Sequence, residues 1–327
     1  MFNDNSKLPI ILAAGAGVLT VSAFYYWYKR YQYHYVPPQQ WRKVGELSDI
    51  ICYPIKSCGP VRVNTVNCSK LGLSDGHLRD RVFMVIQTKD GKFITARQYP
   101  KMVKIQPKIE GPKMTLSAPG MMDVEVDFER LYKTKPIKCS VWDQPVEAVD
   151  CGEDVARWFS RYILEDDFGL RLVFYAKELS MRNVRPKNKC VDTTLREDTG
   201  AFHDATSFMI LNESSLIDLN TRLSVPVVGL NFRPNFVVKG AFAYEEDYWR
   251  WVKIGEVVFR SVKPCTRCIF TNIDPMTALR SENGNPLNVL KTYRMFPDLG
   301  ATPVLGTHLG LRVPGNVNIG DEIFVEA

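Results

Sequence analysis

The run from Lys263 to Pro275 carries Cys265, Arg267 and Cys268 ahead of an apolar, strand-like stretch and an Asp274-Pro275 turn. A thiolate at Cys268, beside a guanidinium, is a soft ligand, and soft sulfur selects a small set of metals. A metal held there would make the chain a redox enzyme. The Cys265-x-x-Cys268 spacing also fits a thioredoxin-like pair, half of a zinc site, or a coincidence in which one member is functional. The redox pair wants a helix start in a βαβ setting, and the sequence after Cys268 is β-rich instead. Zinc wants two further ligands, and His34, His77, His203 and His308 form no second close pair.

Four other constellations suit an anionic ligand. Tyr53 to Gly59 is a turn that exposes Lys56, Ser57 and backbone amides together, either a nest for a phosphate or other anion or an ordinary surface turn. Arg79-Asp80-Arg81 is either an ion pair or a carboxylate with one guanidinium left for a ligand. Thr206 and Ser207 place adjacent hydroxyls before a strand, where capping is the plain alternative. Asn231, Arg233 and Asn235 put two amides and a cation at a strand entry.

The elements that must position these residues are mostly strands. Short β-like runs punctuated by turns predict a mainly β, α+β chain of two β-barrel-like domains with peripheral helices. Asp90-Gly91 between 81–87 and 92–97 signals a hairpin. Val155, Trp158, Phe159, Tyr162 and Ile163 recur at helical spacing from Glu153 to about Leu164. Asn212 can cap a short helix carrying Leu216, Leu219 and Leu223. Strands are expected at 208–211, 235–239, 251–254, 257–262, 268–273 and 323–325.

From Leu8 to Trp27 there is no charged residue, enough to span a ~30 Å hydrocarbon core. Aromatics from Phe24 to Tyr28 and then Lys29 and Arg30 favour a retained single-pass anchor with the bulk of the chain in the cytosol. The expected organisation is a short tail over 1–7, a transmembrane helix over 8–28, a linker over 29–43, and domains over 44–183 and 184–327. Eight cysteines spread over 327 residues point to free thiols in a reducing compartment. A net charge of +6 favours acidic partners but is no nucleic-acid signature.

Taken in order, the Tyr53–Cys58 motif, Leu78–Arg81, Phe232–Asn235 and Arg267-Cys268 with its Asp-Pro turn resemble the MOSC family, and with the N-terminal helix its amidoxime-reducing members. That resemblance implies an N-terminal β-barrel domain followed by a MOSC domain. It implies a pterin-based molybdenum cofactor (molybdopterin, mononucleotide form) with Cys268 as the metal ligand and catalytic residue. Lys56, Ser57, Arg81, Thr206, Ser207, Asn231, Arg233, Asn235 and Arg267 would bind the cofactor, and Cys265 would only pack.

The implied activity is reduction of N-hydroxylated compounds such as amidoximes, N-hydroxyguanidines and hydroxylamines. Electrons would come from NADH through cytochrome b5 reductase and cytochrome b5, at the outer mitochondrial membrane. The alternative within the family is a cofactor carrier or sulfur-transfer module without reductase activity. Thr266, and Thr307-His308 in place of an expected glycine-glutamine pair, depart from the family pattern and bear on the substrate pocket.

Overall fold

The computed structural model describes residues 8–185 and 193–327, with side chains from residue 22 onward. The expected tail over 1–7, the side chains of 8–21 and Cys190 lie outside the described residues. The chain divides into two units, 1–39 and 40–327.

The first unit is the helix Leu8–Tyr35. It runs past the expected end at 28, because Trp27, Tyr31 and Tyr35 stack at i,i+4 spacing with centroids 5.7 and 5.4 Å apart. Among the described residues no helix is long and apolar enough to cross a membrane. That finding overturns the expected transmembrane anchor and the single-pass topology built on it. From Ser22 the helix is aromatic and basic rather than aliphatic, with Lys29, Arg30 and His34 in its last turns. The expected linker shrinks accordingly, since strand begins at Trp41.

The second unit is built around one closed barrel of seven strands. Their order is Phe236–Lys239, Phe208–Asn212, Val304–Val313, Val257–Thr266, Trp251–Ile254, Glu322–Glu326 and Trp41–Cys52, and the last pairs back onto the first. Ile50 opposes Phe236 and Leu47 opposes Val238 at this closure. All the pairs are antiparallel except Phe208–Asn212 beside Phe236–Lys239. Alternation of the strands points Leu47, Phe208, Ile210, Phe236, Val252, Phe259 and Leu309 inward. Phe208 stacks on Phe236 at 5.9 Å and meets Phe259 edge-on at 5.1 Å.

The remaining strands make smaller sheets, and in the first of them the two edges meet through Lys92 and Phe93, as a small barrel requires: Phe93 bridges Ile86 on one edge strand and Lys92 bridges Ser140 on the other. One sheet orders Pro136–Val141, Gln144–Asp150, Leu170–Phe174 and Phe83–Gln87; another, Gln106–Glu110, Lys113–Ser117 and Val124–Asp127. A third places Gly315–Asn318 beside Thr65–Ser69, Gly72–Asp75 and Leu78–Arg79, so the C-terminal region completes an N-terminal sheet. Helix Glu153–Leu164 forms as expected and buries Val155, Trp158, Phe159 and Ile163. The hairpin at Asp90-Gly91 is shorter than expected: its return arm bridges Phe93 to Ile86, flanked by bonds from the Gln87 amide to the Lys92 carbonyl and from the Ile94 amide to the Val85 carbonyl. Asn212 caps helix Glu213–Thr221 by accepting from the Ser214 amide.

Two features of the barrel deliver the Cys268 segment. Strand Val257–Thr266 shifts register against Val304–Val313 at three places, the last between Pro264 and Thr266. Such shifts bend a strand and re-aim the residues beyond its end. Cys268 then starts a 3-10 turn, Ile269–Asn272, where a strand was expected. The reason is local: the Thr271 amide and hydroxyl both donate to the Cys268 carbonyl, at 3.0 and 2.9 Å.

Candidate functional site

A cleft of about 240 Å³ opens between the Tyr53–Gly59 turn, the Trp142 turn, Asp204–Thr206, Asn231–Asn235 and the Cys268 loop. It gathers Lys56, Ser57, Arg81, Thr206, Asn231, Arg233, Asn235, Arg267 and Cys268, residues far apart in sequence. Ser207 is the exception. Its hydroxyl turns away from the cleft and donates to the Lys70 carbonyl at 2.9 Å. Thr206 and Ser207 are neighbours in extended chain and so face opposite sides.

Cys268 is exposed, whereas the six other described cysteines are buried. Burial pushes the thiols of Cys52, Cys58, Cys68, Cys139, Cys151 and Cys265 up, which makes them poor ligands. Cys265 also lines the cleft, but it packs beside Met209 and Leu305 in a small apolar cluster.

The cationic wall is braced by one buried acid. Asp80 accepts from the Tyr53 amide at 2.6 Å, from His203 Nε2 at 2.8 Å, and from Arg81 Nη1. Burial alone would push the Asp80 carboxyl up, but Arg81 and His203 hold it well below the usual carboxylate range. Arg81 adopts φ 48° and stacks 4.7 Å over the Tyr53 ring; Arg233 adopts φ 54° and lies 4.0 Å from the same ring. Arg233 spends Nη1 on the Cys58 carbonyl at 2.7 Å, while its buried Nη2 has no partner. Burial lowers it to about 10.

Lys56 donates to the Phe202 carbonyl at 2.8 Å and to the Asp204 carboxylate, and burial lowers its pKa to about 8. Desolvation in the cleft pushes Asp204 up, but Lys56, Arg97 and the Trp142 indole outweigh it and hold the carboxyl low. Its side chain is nonetheless 58% exposed, so it opens onto the cleft.

Three of the expected ligand-binding side chains are used internally. Asn231 Nδ2 donates to the Thr271 and Ile273 carbonyls, both at 3.1 Å, which pins the loop after Cys268. Asn235 bridges the Ile51 carbonyl and the Met209 amide, both at 3.2 Å. Arg267 donates to the Leu305 and Phe232 carbonyls at 2.8 Å each. Gly306 makes room for it: at φ 71°, a Cβ there would stand 2.6 Å from the Ile210 carbonyl oxygen and 3.2 Å from Arg267 Nη2.

The sequence reading missed Arg97, Trp142, Arg185, Asp204 and His308 as cleft residues. His308 carried a signal, since Thr307-His308 breaks the family pattern, and Asp204 opens the flagged Asp204–Ser207 motif, but nothing marked the other three. His308 Nδ1 lies 3.0 Å from the Thr206 hydroxyl, whose own proton goes to the Phe208 carbonyl at 2.9 Å. In the tautomer with Nδ1 protonated, Nδ1 donates to Thr206 and Nε2 is left as an acceptor. Burial, with Lys263 and Arg267 nearby, holds His308 well below its ordinary pKa, so it is neutral.

His203 is neutral as well. Its Nδ1 is buried without a partner and burial lowers its pKa to about 4, despite Asp80. As pH falls from 6.5 to 4, the unfolded chain takes up this proton and the folded chain does not, so stability falls. The linkage is on the order of 3 kcal/mol. Urea unfolding across this range should show the loss in the wild type and a flatter profile in His203→Gln. Equal slopes would place the proton elsewhere.

In chemical terms, the cleft lining has seven basic side chains and one carboxylate, Asp204. Such a lining suits a phosphate-bearing anion. Among the described residues no group of three His, Cys, Asp or Glu side chains can hold a metal ion.

Comparison with known proteins agrees with this architecture. Residues 44–166 match the family described as "MOSC N-terminal beta barrel domain" and residues 197–324 match "MOSC domain". Mouse mitochondrial amidoxime-reducing component 1 is 37% identical over 87% of this chain and 83% of its own length. The human protein of that name is 36% identical over 87% and 84%. The Xenopus laevis one is 32% identical over 97% and 92%. The chain therefore belongs to the molybdenum-cofactor-related MOSC family, alongside the mitochondrial amidoxime-reducing components.

Proposed function

We propose that the chain is a molybdenum-dependent reductase of N-hydroxylated compounds, with Cys268 as the protein ligand of a molybdopterin-type cofactor in its mononucleotide form. The observation that carries this reading is the exposed Cys268 thiol in a cleft of opposite character, rich in guanidinium and ammonium groups. When bound, the cofactor supplies the two-electron redox centre.

The chain's own residues do the rest. Lys56, Ser57, Arg81 and Arg233 would hold the phosphate, Arg233 through its unpartnered Nη2. Thr206 and His308 form the opposite wall, where His308 Nε2 can accept the hydroxyl proton of an N–OH group. Asn231, Asn235 and Arg267 would position the backbone around Cys268. An amidoxime would take up two electrons and two protons, breaking its N–O bond to give an amidine and water. Electrons from NADH through cytochrome b5 reductase and cytochrome b5 complete the proposal. So does placement at the mitochondrial outer surface, which rests on the relatives' names and on the family resemblance.

Benzamidoxime reduction by the loaded full chain with NADH, the reductase and cytochrome b5 tests this. Turnover that falls at least 10³-fold in Cys268→Ala is expected, as for loss of a group used only in the reaction. Molybdenum without turnover in the wild type would favour the carrier or sulfur-transfer reading instead.

A further inference from the structure

We propose that the mouth of the cleft holds a carboxylate subsite, formed by Arg97 and Arg185 against the Trp142 ring, and that the preferred N-hydroxylated substrates carry a carboxylate. This rests on the reductase reading of the same cleft. Arg185 lies flat on Trp142, its guanidinium carbon 3.7 Å from the ring centroid, and Arg97 is 4.8 Å from it. Trp142 is fixed in turn, at φ 52°, by its indole N–H to Asp204 at 3.0 Å. Two guanidiniums held by one aromatic ring are pre-oriented cations, with less side-chain entropy to lose on binding.

Their donors are open. Arg185 uses Nη1 on the Asp204 carbonyl at 3.0 Å, and Arg97 uses Nε on Thr95 at 3.4 Å. Among the described residues, the Nη groups of Arg97 and Nη2 of Arg185 meet no protein acceptor, and both side chains line the cleft. The nearby acids do not cancel them. Asp204 is already engaged by Lys56 and Trp142, and Asp143, next along the turn, is exposed and bonds neither guanidinium. A planar carboxylate accepting from a planar fork is the chemistry that fits two such groups. Arg81 and Arg233 lie over the Tyr53 ring instead, while Lys56, 5.8 Å from the Trp142 ring, has its ammonium engaged by Asp204 and the Phe202 carbonyl.

The test compares 4-carboxybenzamidoxime with benzamidoxime, which differ only in that carboxylate. With the loaded full chain, the acid should have a kcat/KM at least tenfold higher, carried by KM and shrinking as salt is raised. Calorimetric titration of the same pair without electron donor should show the same preference in Kd, and it reads the subsite even where no turnover occurs. The Arg97→Gln/Arg185→Gln double variant should bring both ratios towards one while retaining its molybdenum. Equal KM and equal Kd for the two compounds in the wild type would overturn the subsite. Loss of molybdenum from the double variant would also overturn it, assigning both arginines to the cofactor phosphate. Failure of both compounds to turn over, with binding intact, would count against the reductase reading alone.

Discussion

Asp80→Ala should destabilise the chain by about 3–5 kcal/mol, the range for removing one partner of a buried ion pair. The Asp80 side chain is fully buried and serves three donors: Arg81, His203 and the Tyr53 amide. With the carboxylate gone, the Arg81 guanidinium keeps a 3.4 Å contact to Asn235, a 3.1 Å bond to the Arg233 carbonyl and its stacking on Tyr53, but no counter-charge in contact. The Tyr53 amide loses its acceptor at the start of the turn that carries Lys56 and Ser57. The loss should therefore show both in the urea midpoint and in weaker retention of the cofactor. Asp80→Asn keeps the shape and one acceptor and should cost less. A loss below about 1 kcal/mol for the alanine variant would mean that Arg81 finds another counter-charge.

Arg267→Ala should cost a similar amount, about 3–5 kcal/mol, and through folding rather than ligand affinity. The guanidinium spans two backbone carbonyls, Leu305 and Phe232, and touches Met209 Sδ at 3.4 Å. These acceptors belong to two segments on either side of Cys268's neighbour. Deleting the side chain strands both carbonyls and leaves a cavity beneath Gly306. Arg267→Lys should rescue little, since a point ammonium cannot reach both carbonyls at once. Normal stability in Arg267→Ala, with weakened cofactor binding alone, would restore the ligand role that the family resemblance implies.

These two residues mark where sequence reasoning stops. The motif order in the chain brought most of the cleft residues to attention, because each motif couples a turn to a donor side chain. It could not say what each donor meets. Asn231, Asn235 and Arg267 end on backbone carbonyls, and the acceptors come from segments that only the closed barrel brings near. Ser207 was legible in principle, since strand alternation turns it away once Thr206 faces the cleft.

Regular elements obeyed their local signals: helix Glu153–Leu164 from its apolar spacing, and the Asn212 cap from its side-chain chemistry. The N-terminal helix misled because its uncharged run resembles a span, while the aromatic ladder that extends it to Tyr35 is a helix-surface feature. The second barrel was legible only in outline, because its edges meet through isolated bridges at Lys92 and Phe93 rather than through a regular strand. Trp142 with Arg97 and Arg185 gave no sequence signal, since nothing local links three such distant positions.

The most direct test of the central claim is elemental molybdenum analysis of the full chain, produced in a host that makes the mononucleotide cofactor. The wild type should carry close to one molybdenum per chain. Cys268→Ala should carry almost none while unfolding at the urea midpoint of the cofactor-free wild type, since the exposed thiol adds little to packing. A folded wild type without molybdenum, or a variant that keeps the metal, would contradict the account.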